Sequence, residues 1–206
     1  EEIAAVSVPQ RRGDPIVVAD DEGIRPATTM ESLGSLRPAF TASGNITAGN
    51  ASQISDGASA TVIMSAAKAQ ELGVDTFAEL VSYGQVAGPD CSLLTQPSQA
   101  IAAALSRAND VSQSDLSLYE INEAFAAVAA ASIDELGISF DDVNVNGGAV
   151  ALGHPIGASG NRLVLTLAHE LRRRGGGLGA AALCGGGGQG DRGGRGLSES
   201  RRARNN

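Results

Sequence analysis

From Ala60 to Cys184 the apolar positions switch repeatedly between a continuous β-like pattern and a helical one, and each switch marks an element. The run ATVIMS, 60–65, is unbroken and β-branched, as a buried strand is. SAAKAQELG, 65–73, predicts a short helix closed by Gly73, and AELVSY, 78–83, a second strand. After the loop GQVAGPDCSLLTQP, Pro97 and Ser98 mark a helix start, and Ile101, Leu105 and Ala108 share one face. LSLYEI, 116–121, reads as a strand that runs into a helix over NEAFAAVAAASIDELG. Phe125, Val128, Ser132, Ile133 and Leu136 form its stripe, but Ala124, Ala126, Ala127, Ala129, Ala130 and Ala131 leave little polar face. A helix apolar nearly all round is normally buried on more than one side.

A strand VNVN (143–146), a glycine-broken loop, a helix over ASGNRLVLTLAHELRRR and a strand GAAALC follow. This β-α-β-α-β succession predicts an α/β fold with a mixed, mostly parallel sheet covered by helices. Arg172 to Arg174 complement the dipole at the end of the last helix, and Glu170 is spaced to pair with Arg174. The first forty residues differ: rich in Pro, Gly, Asp and Arg, with the β-branched run Ile16 to Val18 between RRGDP and ADDEG, they read as hairpin and loop.

Composition narrows the classes of protein. With 206 residues and 42% hydrophobic content, the chain has enough apolar material for one large domain or a domain plus part of another. It has no run of roughly 18 uncharged apolar residues and no signal-peptide pattern at its start, so a cytoplasmic protein without membrane partners is expected. Two cysteines and two histidines make neither a disulfide framework nor a usual zinc spacing, and no metal is expected. A formal net charge of −8 argues against nucleic acid. Residues 192–206 nevertheless carry five arginines and one acid, Glu199, and read as a disordered basic tail.

Chemistry concentrates in three places. Cys184 precedes four glycines at the end of a strand, where a parallel α/β sheet gathers its ligands and bare backbone N–H groups can approach an oxyanion. Gly185, Gly187 and Gly190 also match G-x-G-x-x-G. DRGGRGLSES follows instead of a helix, so a dinucleotide loop is not supported. His154 lies in a loop between Gly153 and Pro155, free to donate to or accept from a substrate, whereas His169 reads as structural. Asn122, at a strand-helix junction, is either an N-cap or a carboxamide holding a water or an oxygen. All three positions point to one rim of one sheet.

With these residues in place, the chain resembles the C-terminal half of the thiolases. The resemblance rests on TAGNASQISDGA (47–58), YEINEAFAAV (119–128), NVNGGAVALGHPIGASG (144–160) and ALCGGGGQGD (182–191), four motifs in family order. It implies a thiolase-like fold and reversible Claisen chemistry on acetyl-CoA, acyl-CoA and CoA, with the thioester as substrate and no cofactor. By motif, Cys184 falls on the base or acid that moves the α-proton, and Gly186 on a backbone oxyanion donor. His154 falls on the histidine that activates the nucleophile and, with a water held by Asn122, stabilises the enolate. Ala48, Ser52, Gln53 and Phe125 fall at or beside positions lining the pantetheine tunnel. Gln53 stands where the family often has glycine, which bears on acyl-chain preference.

The resemblance also divides the chain: 1–42 as the end of a loop domain, 43–66 as the last segment of the N-terminal domain, 67–191 as the C-terminal domain. It further implies a homo-oligomer when complete. The family's nucleophilic cysteine would lie before residue 1, and the surroundings of Cys91 do not match it. After GQGD the family continues into an apolar strand; here the arginine-rich stretch begins, so loss of an edge strand is expected. A non-catalytic acyl-CoA-binding module is the alternative reading, and a Cys-His hydrolase a more distant one.

Overall fold

The computed structural model describes residues 2–186 and the backbone of 189–191; the basic stretch read as a disordered tail lies outside the described residues. Strands β1 (Val6–Val8) and β2 (Ile16–Val18) pair antiparallel as the expected hairpin. Helix α1 (Met30–Gly34) follows. It has no apolar periodicity to announce it and is held by a capping box between Thr29 and Ser32. Helix α2 (Ala66–Leu72) starts on the Ser65 hydroxyl and stops at Gly73, whose φ of 65° is left-handed, as its sequence predicts.

Three of the expected strands, ATVIMS, AELVSY and VNVN, do not form among the described residues. ATVIMS is extended but joins no sheet, and Val62 and Ile63 are 84% and 76% exposed rather than buried. AELVSY holds only a single bridge residue, Leu80, and no strand among the described residues. Ser82 donates to Ala104 O (2.9 Å), and Gly84 is pressed so close to the next helix that a Cβ would stand 2.4 Å from Ala104 N. The strand forms just downstream, as β3 (Val86–Ala87).

The remaining elements build the core. Helix α3 (Gln96–Leu105), strand β4 (Leu116–Ile121), helix α4 (Ala126–Leu136), the one-turn helix α5 (Ala149–Leu152), helix α6 (Ile156–Arg173), strand β5 (Leu178–Gly185) and strand β6 (Gln189–Asp191) follow in order. The sheet order is β3-β6-β5-β4. Its parallel part is β4–β5, extended by a parallel bridge from Tyr119 to Val143; β5–β6 and β6–β3 are antiparallel. Strand β6 is the end of GQGD itself and lies inside the sheet between β5 and β3; the apolar strand expected to be lost after it falls outside the described residues. VNVN contributes only that single bridge, because Asn144 turns to φ 49° and cannot extend a ladder.

The period of two sorts side chains between two helical layers. Tyr119, Ile121, Ala180 and Ala182 face α3 and α4, packing with Ile101, Ala129 and Ile133. Leu118 and Ala181 face α6, packing with Leu163, Leu167 and Leu171. Each fully buried Ile or Leu contributes about 1.5–3 kcal/mol. The alanine-rich helix α4 is buried on one side only: Ala127 and Ala130 are exposed.

Glu170 on α6 ties the loop before α5 to this core. It accepts from Asn146 Nδ2 (3.0 Å) and from the guanidinium groups of Arg173 (2.5 Å) and Arg174 (2.7 Å). These bonds, that of Asn146 first, hold its carboxyl down to about 2 from an ordinary 4.5. A depressed carboxylate stabilises the fold fully above its unfolded pKa and ceases to do so as pH falls through its folded one. Acid titration followed by circular dichroism is therefore expected to give wild type a loss of stability between about pH 4.5 and 2 that Glu170→Gln lacks.

Candidate active site

Three segments converge at the carboxyl end of β4. The ladder carries one residue past the strand, since Asn122 N donates to Ala182 O (2.9 Å). The backbone at Asn122 is thereby held by the sheet, and α4 starts only at Ala126, with Phe125 at its N-cap position. Asn122 is thus not a helix cap. Its side chain, 1% exposed, turns to the histidine loop, and Nδ2 lies 3.2 Å from His154 Nε2.

His154 is gripped from both sides of its ring. Ser159 Oγ donates to Pro155 O (3.0 Å), so its proton is committed, and it accepts from His154 Nδ1–H at 2.6 Å. This fixes the tautomer: Nε2 carries a lone pair and accepts from Asn122 Nδ2. Asn122 Oδ1 is then left buried with no partner among the described residues. A buried carboxamide oxygen without a donor costs about 1–3 kcal/mol. It is the atom at which a water or a ligand hydroxyl would be held.

Charge sets the resting forms. Burial, and secondarily the Arg162 guanidinium, push His154 below its ordinary range, so the ring is neutral near pH 7. Burial pushes Glu120 up to about 8 against the pull of Arg162, whose Nη1 lies 3.3 Å away. Burial likewise pushes the Cys184 thiol up, offset in part by a hydrogen bond from its own backbone N–H to the sulfur, so thiol rather than thiolate is the resting form.

Cys184 sits two residues beyond Ala182 on β5, paired in register with Gly190 of β6, and is partly buried. Asn122 and His154 are in direct contact; Cys184 is brought to the same rim by the adjacent strand. Gly186 stands in the exposed turn after β5, where a Cβ would meet nothing within 4 Å. Cys91 is exposed in a loop.

The candidate substrate-binding residues form one neighbourhood beside this pair. Ser52 donates to Ala124 O through both its N–H (3.1 Å) and Oγ (3.0 Å), Ala51 bridges Phe125, and Gln53 O accepts from His154 N (2.8 Å). Phe125 stacks edge-on against Phe40, and Ala48 is exposed at the start of the segment. The 51–57 segment fits the histidine loop closely. A Cβ on Gly153, already at φ 98°, would stand 2.2 Å from Ser55 Oγ. Ser159 was not singled out from sequence, although a serine four residues after Pro155 at the start of a helix is placed to bond back to the Pro155 carbonyl.

The helix-covered α/β sheet thus carries an amide, an imidazole, a hydroxyl and a thiol on its carboxyl rim, the edge at which such sheets gather their ligands. Residues 74–192 match the family "Thiolase, C-terminal domain" and residues 1–67 match "Thiolase, N-terminal domain". The probable acetyl-CoA acetyltransferase of Mycolicibacterium smegmatis is 58% identical over 191 residues, 93% of this chain and 49% of that protein. The acetyl-CoA acetyltransferase of Cupriavidus necator is 51% identical, over 92% of this chain and 48% of its own. The crystal structure of the Bacillus anthracis acetyl-CoA acetyltransferase superposes with a TM-score of 0.88 at 41% identity, covering 95% of this chain and 49% of that one. Human mitochondrial 3-ketoacyl-CoA thiolase in complex with CoA gives a TM-score of 0.80 at 39% identity, over 89% and 46%.

The chain belongs to the thiolase family. It spans about half the length of the curated relatives it matches.

Proposed function

We propose that this chain carries the proton-transfer half of a thiolase site, acting on coenzyme A thioesters in reversible Claisen condensation or thiolysis. The observation that supports this best is the relay of Asn122, His154 and Ser159 with its unpartnered Asn122 Oδ1. In condensation, Cys184 as thiolate takes a proton from the acetyl methyl group and becomes the thiol. The electron pair moves onto the thioester oxygen, which accepts a hydrogen bond from a water on Asn122 and one from His154 Nε2–H, formed when the neutral ring takes up the proton that Cys184 released on becoming thiolate. The reverse step returns the proton from Cys184 to carbon. A thiol held above its ordinary pKa suits proton donation, and a thiolate formed there is a strong base.

Ala48, Ser52, Gln53 and Phe125 are the proposed contacts of the pantetheine arm, and Gly186 N–H the donor to the acyl carbonyl. No cofactor or metal takes part in this reading. We assign residues 1–42 to the loop domain, 43–66 to the N-terminal domain and 67–191 to the C-terminal domain, in a cytoplasmic homo-oligomer when complete. Among the described residues no helix is long and apolar enough to cross a membrane.

The test is deuterium exchange into the acetyl methyl group of acetyl-CoA, read by mass spectrometry in heavy water. Slow exchange by the chain, rising with pH as the thiolate fraction grows and lost in Cys184→Ala and His154→Ala, is the expected result. Binding of acetyl-CoA without any exchange would favour a non-catalytic acyl-CoA-binding module instead.

A further inference from the structure

The Asn122 side chain cannot hold its own position. Among the described residues its side chain bonds only to His154, at 3.2 Å, and Oδ1 has no partner. What fixes it must be the backbone on either side. On the N-terminal side, Asn144 does this, at φ 49°: its Oδ1 accepts from Ile121 N and its Nδ2 donates to Ile121 O, both at 2.8 Å, as a neighbouring strand would. On the C-terminal side stands Glu123, whose carboxylate turns away from the Asn122–His154 contact toward Asn144 and Val150.

The Glu123 carboxylate joins the two segments of the site. Oε1 accepts from Asn144 Nδ2 (2.9 Å), and Oε2 accepts from Val150 N (3.0 Å) in the first turn of α5. Helix α5 ends at Leu152, two residues before His154. A charge-assisted bond to a backbone N–H is among the stronger ones a carboxylate makes. Gly148 makes room for it. Its φ of −112° is one any residue adopts, but a Cβ there would stand 2.1 Å from the Glu123 carboxyl.

We infer that Glu123 is a positioning residue: its carboxylate splints the Asn122 turn to helix α5 and so sets the separation of Asn122 Nδ2 from His154 Nε2. This rests on the reading of Asn122 and His154 as a working pair.

The experiment is a pH titration of the 15N-labelled chain followed by nuclear magnetic resonance, which needs no turnover. While His154 Nε2 accepts from Asn122, protonation of the ring removes that acceptor, so the Asn122 side-chain amide shifts with the midpoint of His154 itself. In Glu123→Ala the amide is expected to stop following His154 while the backbone amides of β4 and β5 keep their positions. In Gly148→Ala, which leaves Glu123 in place but displaces its carboxyl, the same loss is expected. Glu123→Gln keeps the shape and one acceptor oxygen, and the amplitude is expected to fall by about twofold or more, as when one of two hydrogen bonds is lost.

A merely structural glutamate would lower stability without separating the two titrations. An Asn122 amide that follows His154 with unchanged amplitude in folded Glu123→Ala, Gly148→Ala or Glu123→Gln overturns the proposal. Failure of the wild-type amide to follow His154 overturns the pair itself, and the splint with it. The charged groups around the pair are Arg162 and Glu120, with Glu2 beside Glu120; removing the Glu123 charge also relieves Glu120, so Gly148→Ala, which keeps that charge, is the control that separates the splint from the change in field.

Discussion

Purified as 206 residues, the chain is expected to release no measurable acetyl-CoA from acetoacetyl-CoA and CoA. Thiolysis needs a nucleophile to take the acyl group and a separate acid to protonate the departing carbanion. The chain has two cysteines. Cys184 is the proposed acid, and Cys91 lies exposed in a loop. One thiol cannot hold the acyl group and deliver the proton in the same turnover. Removing the nucleophile from such a site lowers turnover on the order of 10⁶-fold. The deuterium exchange proposed above should survive, because it uses only the proton-transfer half. Brisk thiolysis, abolished by alkylating either cysteine, would refute this division of labour. A useful companion measurement adds the remaining half of the Mycolicibacterium smegmatis relative as a separate polypeptide: activity that appears only in the mixture would show that this half is competent.

The elements legible in the sequence are those whose apolar pattern meets a matching apolar surface in the fold. Strands β4 and β5 and helices α2, α3 and α6 fall where periodicity, Pro97, Ser65 and Gly73 put them. The Glu170–Arg174 pair forms as spaced. ATVIMS fails for a physical reason: a β-branched apolar run states that a strand wants a sheet, not that a partner strand is within reach. The start of α4 is missed because the β-ladder continues through Asn122, and the tertiary bond to Ala182 outweighs its helix-capping preference.

The site was legible in part for the same reason. His154, Asn122 and Cys184 stand at ends of elements, and topology alone brings strand ends to one rim. Ser159 and Glu123 were hidden, because their roles depend on where a loop folds back. Ser159 is five residues from His154, and Glu123 reaches Val150 across 27 positions.

The second large effect concerns surface. Ile54 is 90% exposed, Val62 84%, Ile63 76% and Ile156 69%. They are not scattered. Ile54 bridges His154, two residues from Ile156, and Ser59 and Thr61 bond to Ala158 O (3.1 Å) and Asn161 Oδ1 (2.6 Å), laying the unpaired run along the start of α6. Single exposed aliphatic residues are ordinary on a protein surface, but a contiguous patch beside an unpaired extended segment is a site of association. The exposed Ala127 and Ala130 of α4 add a second flat apolar face. The isolated chain is therefore expected to bind a hydrophobic dye strongly and to sediment as a concentration-dependent mixture of oligomers. Charge placed in the patch should reverse both effects without unfolding the core, since Val62 and Ile63 contribute nothing to it: Val62→Glu with Ile63→Lys is expected to lower dye fluorescence several-fold and shift sedimentation to monomer. A monodisperse wild-type monomer that leaves the dye dark would mean that the run has found cover on its own chain, and ATVIMS would then be the buried strand its sequence announces.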